Sequence, residues 1–192
     1  REFLDIIVEE TDRLARVVGS FLDYARPGAP DPEPIDLGHA VERTMRMLEA
    51  ELAEHEIRWT LELDPDRKKV RVDAEHVRQI LLNLVRNAIE AAGKGGRIHV
   101  EVERTQRKGV ADALEDWMEL RVTDDGPGID PEILPKLFVP FVTNKPNGSG
   151  LGLAISQRLA NAASGRIEAR SEKERGTTFV VSFPAAPDAP AV

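Results

Sequence analysis

The chain has 192 residues, and its 26 Lys and Arg against 34 Asp and Glu give a formal charge of −8, with no cysteine. That composition removes disulfide frameworks, Cys-ligated zinc, iron–sulfur clusters and thiol nucleophiles. The acidic balance argues against a nucleic-acid binder. No apolar run approaches the ~20 residues needed to cross a bilayer, and the first residues lack a signal-peptide pattern. The chain opens at Arg1 inside a helical pattern and reads as part of something longer, with one sizeable core plus an appendage.

Residues 1–25 predict a helix of about 37 Å. Leu4, Ile7, Leu14, Val18 and Phe21 recur at three- and four-residue steps, widened by Phe3, Val17 and Tyr24. So wide a stripe calls for partner helices in a bundle or dimer, packing on its own domain being the alternative. The acidic run Glu9, Glu10 and Asp12 reads as a solvated face. Residues 26–34, with four prolines, form a stiff linker. A second helix spans about 37–54 on Leu37, Val41, Met45, Leu48 and Leu52. Strands follow at 57–63 and 70–72, separated by a turn. Asp73 caps a helix running to about Ala92, stopped by Gly93, Gly95 and Gly96.

Residues 97–103 and 117–123 alternate as strands, with Trp59 and Trp117 read as core or edge packing. The charged stretch 104–116 reads as a solvated hairpin loop. A glycine-rich turn follows, then a short helix in PEILPKLF, a polar loop, a helix over 151–163 and strands at RIEARSE and TTFVVSF. The tail, 185–192, is too rich in Pro and Ala to pack. Helices falling between strand pairs, without strict β-α-β alternation, predict an α+β two-layer sandwich: a mixed sheet with helices on one face.

Three clusters could carry chemistry. Asn83 and Asn87 share a helix face, one turn apart, within an otherwise apolar helix. Asn is costly to bury unpaired, so these are either structural amides or neutral oxygen donors to a polar ligand, an oxygen suited to Mg²⁺ already carrying phosphate. Asp124-Asp125-Gly126-Pro127-Gly128-Ile129 is either a plain turn or a surface on which a flat ligand lies close to backbone, with a carboxylate at a strand tip to accept from an exocyclic amine. Gly148-Ser149-Gly150-Leu151-Gly152-Leu153 opens a helix and presents N–H groups to an anion, with Lys145 beside it. The Rossmann and P-loop spacings are not met, and the protein-kinase signatures are missing.

In this order the clusters resemble the catalytic, ATP-binding region of two-component sensor histidine kinases, within the gyrase, chaperone, histidine-kinase and MutL ATPase superfamily. The N box matches at Asn83 and Asn87, the first glycine box at Asp124–Gly128, the F box at Phe138-Val139-Pro140-Phe141 and the second glycine box at Gly148–Gly152. Gly176-Thr177-Thr178-Phe179 completes the pattern. The resemblance covers about 35–184, and residues 1–25 look like the second helix of a dimerisation and phosphotransfer hairpin. It implies a Bergerat-type ATP-binding fold and ATP with Mg²⁺ as cofactors. Asn87 would ligand Mg²⁺, with Asn83 at the phosphate end and Asp124 on the adenine amine. Gly126, Gly128, Ile129 and Phe138 would line the nucleotide. Residues 142–150 would form a lid, bringing Thr143, Lys145, Gly148, Ser149, Gly150, Leu151 and Gly152 to the phosphates. Thr177 or Thr178 would lie near the base.

The resemblance further implies a phosphoryl group passed from ATP to a histidine and on to a response-regulator receiver domain, in a homodimer, with this segment cytoplasmic. Hydrolytic superfamily members carry Glu at position 83, and Asn cannot act as a base near neutral pH, which favours kinase over ATPase. Two departures stand out. His39, His55, His76 and His99 lack the acceptor context, so the phosphorylated histidine is expected outside this segment. Glu90 stands where some members place a phosphate-binding Lys, a role left to Lys145 or Arg86. A degenerate nucleotide-binding domain and an anti-sigma-factor type serine kinase are the competing readings.

Overall fold

The computed structural model describes residues 31–108, 113–143 and 149–187, with the isolated positions Ile7, Thr11 and Gly19 ahead of them. Those three are helical, and Thr11 Oγ1 donates to the Ile7 carbonyl at 2.7 Å. The rest of the expected 1–25 helix and most of the linker lie outside the described residues.

Strand β1 (Glu33–Asp36) leads directly into helix α1 (Leu37–Glu54). Then come β2 (Arg58–Leu63), β3 (Lys69–Val72), α2 (Ala74–Ala92), β4 (Arg97–Lys108) and β5 (Leu114–Asp124). A 3₁₀ turn at Leu134–Lys136, helix α3 (Gly152–Ala162), β6 (Arg166–Glu172) and β7 (Gly176–Pro184) complete the order. The main sheet runs β2-β4-β5-β7-β6, with β2 parallel to β4 and every other pair antiparallel. It is the expected mixed sheet of an α+β sandwich.

The helices form where apolar spacing and caps agree. Asp36 caps α1 by accepting from His39 N–H at 3.1 Å, and Asp73 caps α2 by accepting from Glu75 N–H at 2.8 Å. Gly93, at φ +68°, ends α2. Leu37, Val41, Met45, Leu48 and Leu52 are all buried, as the spacing predicts. They share one core with Val77, Ile80, Leu81, Leu84 and Val85 of α2 and with Ile98, Val100, Val102, Leu120, Val122, Phe179 and Val181 of the sheet. Burying each such side chain contributes about 1.5–3 kcal/mol. Among the described residues no helix is long and apolar enough to cross a membrane.

Four sequence expectations change. The segment 104–116 is not a hairpin loop: β4 and β5 pair continuously out to Lys108 and Leu114. Charge reads as loop in a linear scan, but these charges pair between strands. Arg104 meets Asp116 at 2.9 Å, Arg107 meets Glu119 at 2.5 Å, and Arg121 contacts Glu101, Glu103 and Glu119. Trp117 sits between the Arg107 and Arg166 guanidinium groups, 5.0 and 5.2 Å from its ring centre. A charged face of this kind lets the sheet meet water on the side away from the helices.

The other changes are local. Glu33 and Pro34 belong to β1, which pairs antiparallel with β3, rather than to the linker; Pro is tolerated because β1 is an edge. PEILPKLF gives only the 3₁₀ turn, since Pro135 lacks the N–H that an α-helical ladder needs. The tail begins ordered: Ala185 N–H donates to Asp116 O at 2.9 Å and Ala186 N–H to Lys69 O at 2.7 Å, tying the β1–β3 pair to the main sheet. Residues 188–192 lie outside the described residues.

Asp116 stands at that junction. Hydrogen bonds from Arg104 first, then from Gln106 and Lys68, hold its carboxyl down to about 2. A carboxylate depressed in the folded state stabilises above the ordinary range and loses that contribution as pH falls from about 4 toward 2. Melting temperature measured across this interval is expected to drop, with a shallower drop and a lower neutral-pH value for Asp116→Asn. Parallel profiles would count against the junction.

Candidate functional site

The site is built on α2, the end of β5 and the start of α3. Along α2, the residues facing the core leave a half-buried strip bearing Asn83 and Asn87. The Asn83 carboxamide reaches across to α3, where Nδ2 donates to the Gly152 carbonyl at 3.1 Å and to Ser156 Oγ at 3.3 Å. Asn87 lies one turn on. Glu90 is exposed, and exposed Arg86 pairs with Glu51 of α1 at 3.2 Å. In that pairing Arg86 reaches toward α1, as a solvated charge would.

At the sheet's edge, the tip of β5 is clamped by backbone contacts. Asp124 is buried, 4% exposed, and its Oδ1 accepts from Gly126 N–H at 2.9 Å. A Cβ at Gly126 would fall 2.7 Å from the Ala91 carbonyl of α2, so this turn presses directly on the helix. Gly176, at φ +90°, approaches so closely that a Cβ would lie 2.0 Å from the Asp124 carbonyl oxygen. Asp125 points elsewhere. Its carboxylate accepts from Arg97 N–H at 2.8 Å and Nε at 3.0 Å, and the backbone bond above all keeps it below the usual carboxylate range.

Thr177 and Thr178 part company. Thr177 is buried and pairs in register with Asp124, on the helix-facing side of the sheet. Thr178 pairs with Thr123 on the opposite, charged face, with the two hydroxyls 3.0 Å apart. Strand alternation therefore leaves Thr177 alone with Asp124.

Ser171 is a residue the sequence reading missed. Its Oγ accepts from Ile129 N–H at 2.8 Å and lies 3.0 Å from both Gly176 O and Thr177 Oγ1, joining the glycine turn to the β6–β7 hairpin. Its signal was the alternation Ile167, Ala169, Ser171, which puts a hydroxyl on the inner face.

The second glycine box is described from Ser149 onward. Leu151 is wholly buried, so only its backbone remains toward the site, and its N–H donates to Ser149 Oγ at 3.3 Å. Helix α3 has no side-chain cap bond from its N-cap residue, which leaves N–H groups and the positive dipole end for an anion. Phe138 and Ile129 are half-buried against the core, and Thr143 is exposed. Phe141, 62% exposed, holds φ +66° and donates its N–H to Gly150 O at 2.9 Å. A non-glycine residue there stores about 1–3 kcal/mol of strain. Lys145 and Gly148 lie outside the described residues.

The four histidines are scattered. His99 Nδ1 meets Thr60 Oγ1 at 2.8 Å, His76 is buried near the start of α2, and His39 and His55 are exposed. A cleft of about 380 Å³ is lined by Arg58, Arg97, His99, Thr123 and the two aspartates at the β5 tip, and another of about 290 Å³ lies by Lys68 and Asp116; neither is lined by Asn83 or Asn87. The arrangement around the two asparagines is the one with chemical content. It sets two carboxamides, a carboxylate and a helix N-terminus along the C-terminal half of α2.

Residues 72–187, more than half of the chain, match the family described as Histidine kinase-, DNA gyrase B-, and HSP90-like ATPase. The chain is 31% identical over 187 residues to the signal transduction histidine-protein kinase AtoS of Escherichia coli (strain K12), covering 97% of this chain and 29% of AtoS. It is 32% identical over 196 residues to the sensory histidine kinase/phosphatase NtrB of Rhizobium leguminosarum bv. phaseoli, covering 98% and 51% respectively. The chain thus spans between 29% and about half of the length of these relatives. Among solved structures, the catalytic domain of histidine kinase ThkA superposes with a TM-score of 0.70 at 28% identity, covering 82% of this chain and 98% of that one. ThkA in complex with the response regulator protein TrrA gives 0.77 at 27% identity, covering 98% and 52%. With its glycine boxes and paired asparagines placed around α2, the chain belongs to the histidine kinase-, DNA gyrase B- and HSP90-like ATPase family, and its relatives there are sensor histidine kinases.

Proposed function

We propose that this chain is the ATP-binding catalytic domain of a sensor histidine kinase. It holds Mg-ATP against α2, passes the γ-phosphoryl group to a histidine carried on a separate helix, and so supplies a response-regulator aspartate. The observation that carries the reading is Asn83 itself. A carboxamide whose nitrogen is bonded to α3 stands where a water-activating carboxylate would be needed for hydrolysis. Without a base for water, the phosphoryl group waits for imidazole as nucleophile. The imidazole nitrogen bonds to phosphorus as the bridging oxygen leaves with ADP, a transfer governed by positioning and charge stabilisation.

The donor set fits magnesium. Among the described residues no group of three or more His, Cys, Asp or Glu could hold a metal. A cation here would draw its ligands from neutral amide oxygen and the nucleotide's own phosphates, the usual mode for Mg²⁺. Asn87 would supply that oxygen. The metal would neutralise phosphate charge, and the α3 N-terminus and Lys145 would meet the remaining negative charge. Asp124 would accept from the adenine amine. A guanine presents a carbonyl oxygen at that place, and acceptor against acceptor disfavours GTP.

The relatives named above support the assignment, as does the solved complex of ThkA with its response regulator. Residues 1–25 would give one helix of a dimerising pair, extending the protein beyond the nucleotide-binding unit.

Asn87→Ala is expected to weaken Mg-nucleotide binding about 100-fold or more by calorimetry, with an unchanged circular-dichroism spectrum; unaltered affinity would remove the ligand role. In Asp124→Asn, Oδ1 can still accept from Gly126 N–H, which sets an NH₂ group where the carboxylate accepted. ATP affinity should fall about 10-fold or more, and equal affinity would dismiss the adenine contact. Incubated with ATP, the chain alone should acquire no acid-labile phosphohistidine, whereas an added dimerisation and phosphotransfer domain bearing the acceptor histidine should become labelled. Labelling of the isolated chain would refute the placement of the acceptor elsewhere.

A further inference from the structure

The Asn83 carboxamide is held by two acceptors on one helix. Gly152 O can only accept. Ser156 Oγ, 3.0 Å from the same carbonyl, gives it its single proton and so turns lone pairs toward Asn83 Nδ2. Ser156 is fully buried, at 0% exposure, so bulk solvent does not compete for its hydroxyl. An amide turned the other way would set its oxygen against both acceptors, an arrangement that costs the desolvation of unpaired polar atoms. Asn83 Oδ1 receives no hydrogen bond among the described residues.

We propose that Ser156 is a positioning residue that locks the orientation of the Asn83 carboxamide, so that Asn83 meets the nucleotide site with its oxygen alone. An oxygen cannot donate to phosphate. It can accept from a water in the magnesium hydration sphere or bind the ion, so Asn83 acts on the cation and not on the phosphate oxygens. The role rests on the Mg-ATP reading above. The lock itself is a property of α2 and α3 and does not depend on that reading. It also joins the second glycine box to the N-box helix, because the carbonyl that Asn83 grips belongs to the first residue of α3.

Ser156→Ala removes one of the two acceptors without adding bulk, and Ser156→Thr keeps the hydroxyl. The Asn83 side-chain amide resonance, assigned by its loss in Asn83→Asp, reports the lock directly. Its protons should exchange with water several-fold faster in Ser156→Ala than in the unchanged chain, with Ser156→Thr restoring slow exchange. Affinity for a non-hydrolysable ATP analogue should fall about 3- to 10-fold in Ser156→Ala when Mg²⁺ is present. With excess EDTA it should change less than about twofold, and Ser156→Thr should recover the Mg²⁺-dependent part.

Unchanged amide exchange in Ser156→Ala would overturn the lock. An equal loss with and without Mg²⁺ would make Ser156 a packing residue and overturn its role toward the cation. Failure of the unchanged chain to bind the analogue at all would instead overturn the nucleotide assignment, and the amide exchange would still decide the lock.

Discussion

A single helix must satisfy two environments. Helix α2 packs its apolar side under the sheet and between its neighbours, with Val77, Ile80, Leu81, Leu84 and Val85 wholly buried, and from the adjoining strip it presents carboxamides at Asn83 and Asn87. An amide beside an apolar core is stable only if its donors are paired. For Asn83 that pairing comes from α3, through Gly152 O and Ser156 Oγ. The polar contact that satisfies the core boundary also sets the position of α3 relative to α2, the two helices on which the proposed nucleotide site is built. Core packing and site geometry are thus one requirement, met by the same few atoms.

The other wall of the site depends on the absence of side chains. Gly126 lets the turn after β5 press on the end of α2, Gly176 brings β7 onto the Asp124 carbonyl, and Gly128, at φ +74°, lies against the Glu172 carbonyl. Each contact is backbone on backbone and would not survive a Cβ without displacement. Between these contacts Asp124 is held with one oxygen committed to Gly126 N–H. The acidic tip is therefore a rigid acceptor and not a mobile surface carboxylate. Ser171, linking the Ile129 N–H to the β6–β7 hairpin, completes the frame.

The sheet separates two kinds of electrostatics. On the helix side, burial leaves isolated polar groups with specific partners. On the other side, Glu101, Glu103, Glu119, Arg107 and Arg121 neutralise one another across β4 and β5, with Trp117 beside two guanidinium groups. Ion pairs at a half-exposed surface contribute little individually. Joined in a network they give the charged strand ends a reason to stay paired, so β4 and β5 extend well beyond their apolar segments.

Periodicity and capping made much of the fold legible. Leucine and valine spacing located α1 and α2, Asp73 and Gly93 bounded α2, and alternation located the central strands, because each of these signals is local in the chain. The turns and the helix face that carry the proposed site were legible for the same reason: glycines and asparagines at fixed short spacings define turns and helix faces by themselves. Strand β1, the outer halves of β4 and β5, and the order at Ala185 were not legible, since edge pairing and cross-strand ion pairs join residues far apart in sequence. Which of two adjacent threonines accompanies Asp124, that Arg86 pairs with Glu51, and which way the Asn83 amide turns were likewise decided only in three dimensions. Side-chain identity sets what a group can donate or accept, but its partner is chosen by whatever distant segment the fold brings within hydrogen-bond reach.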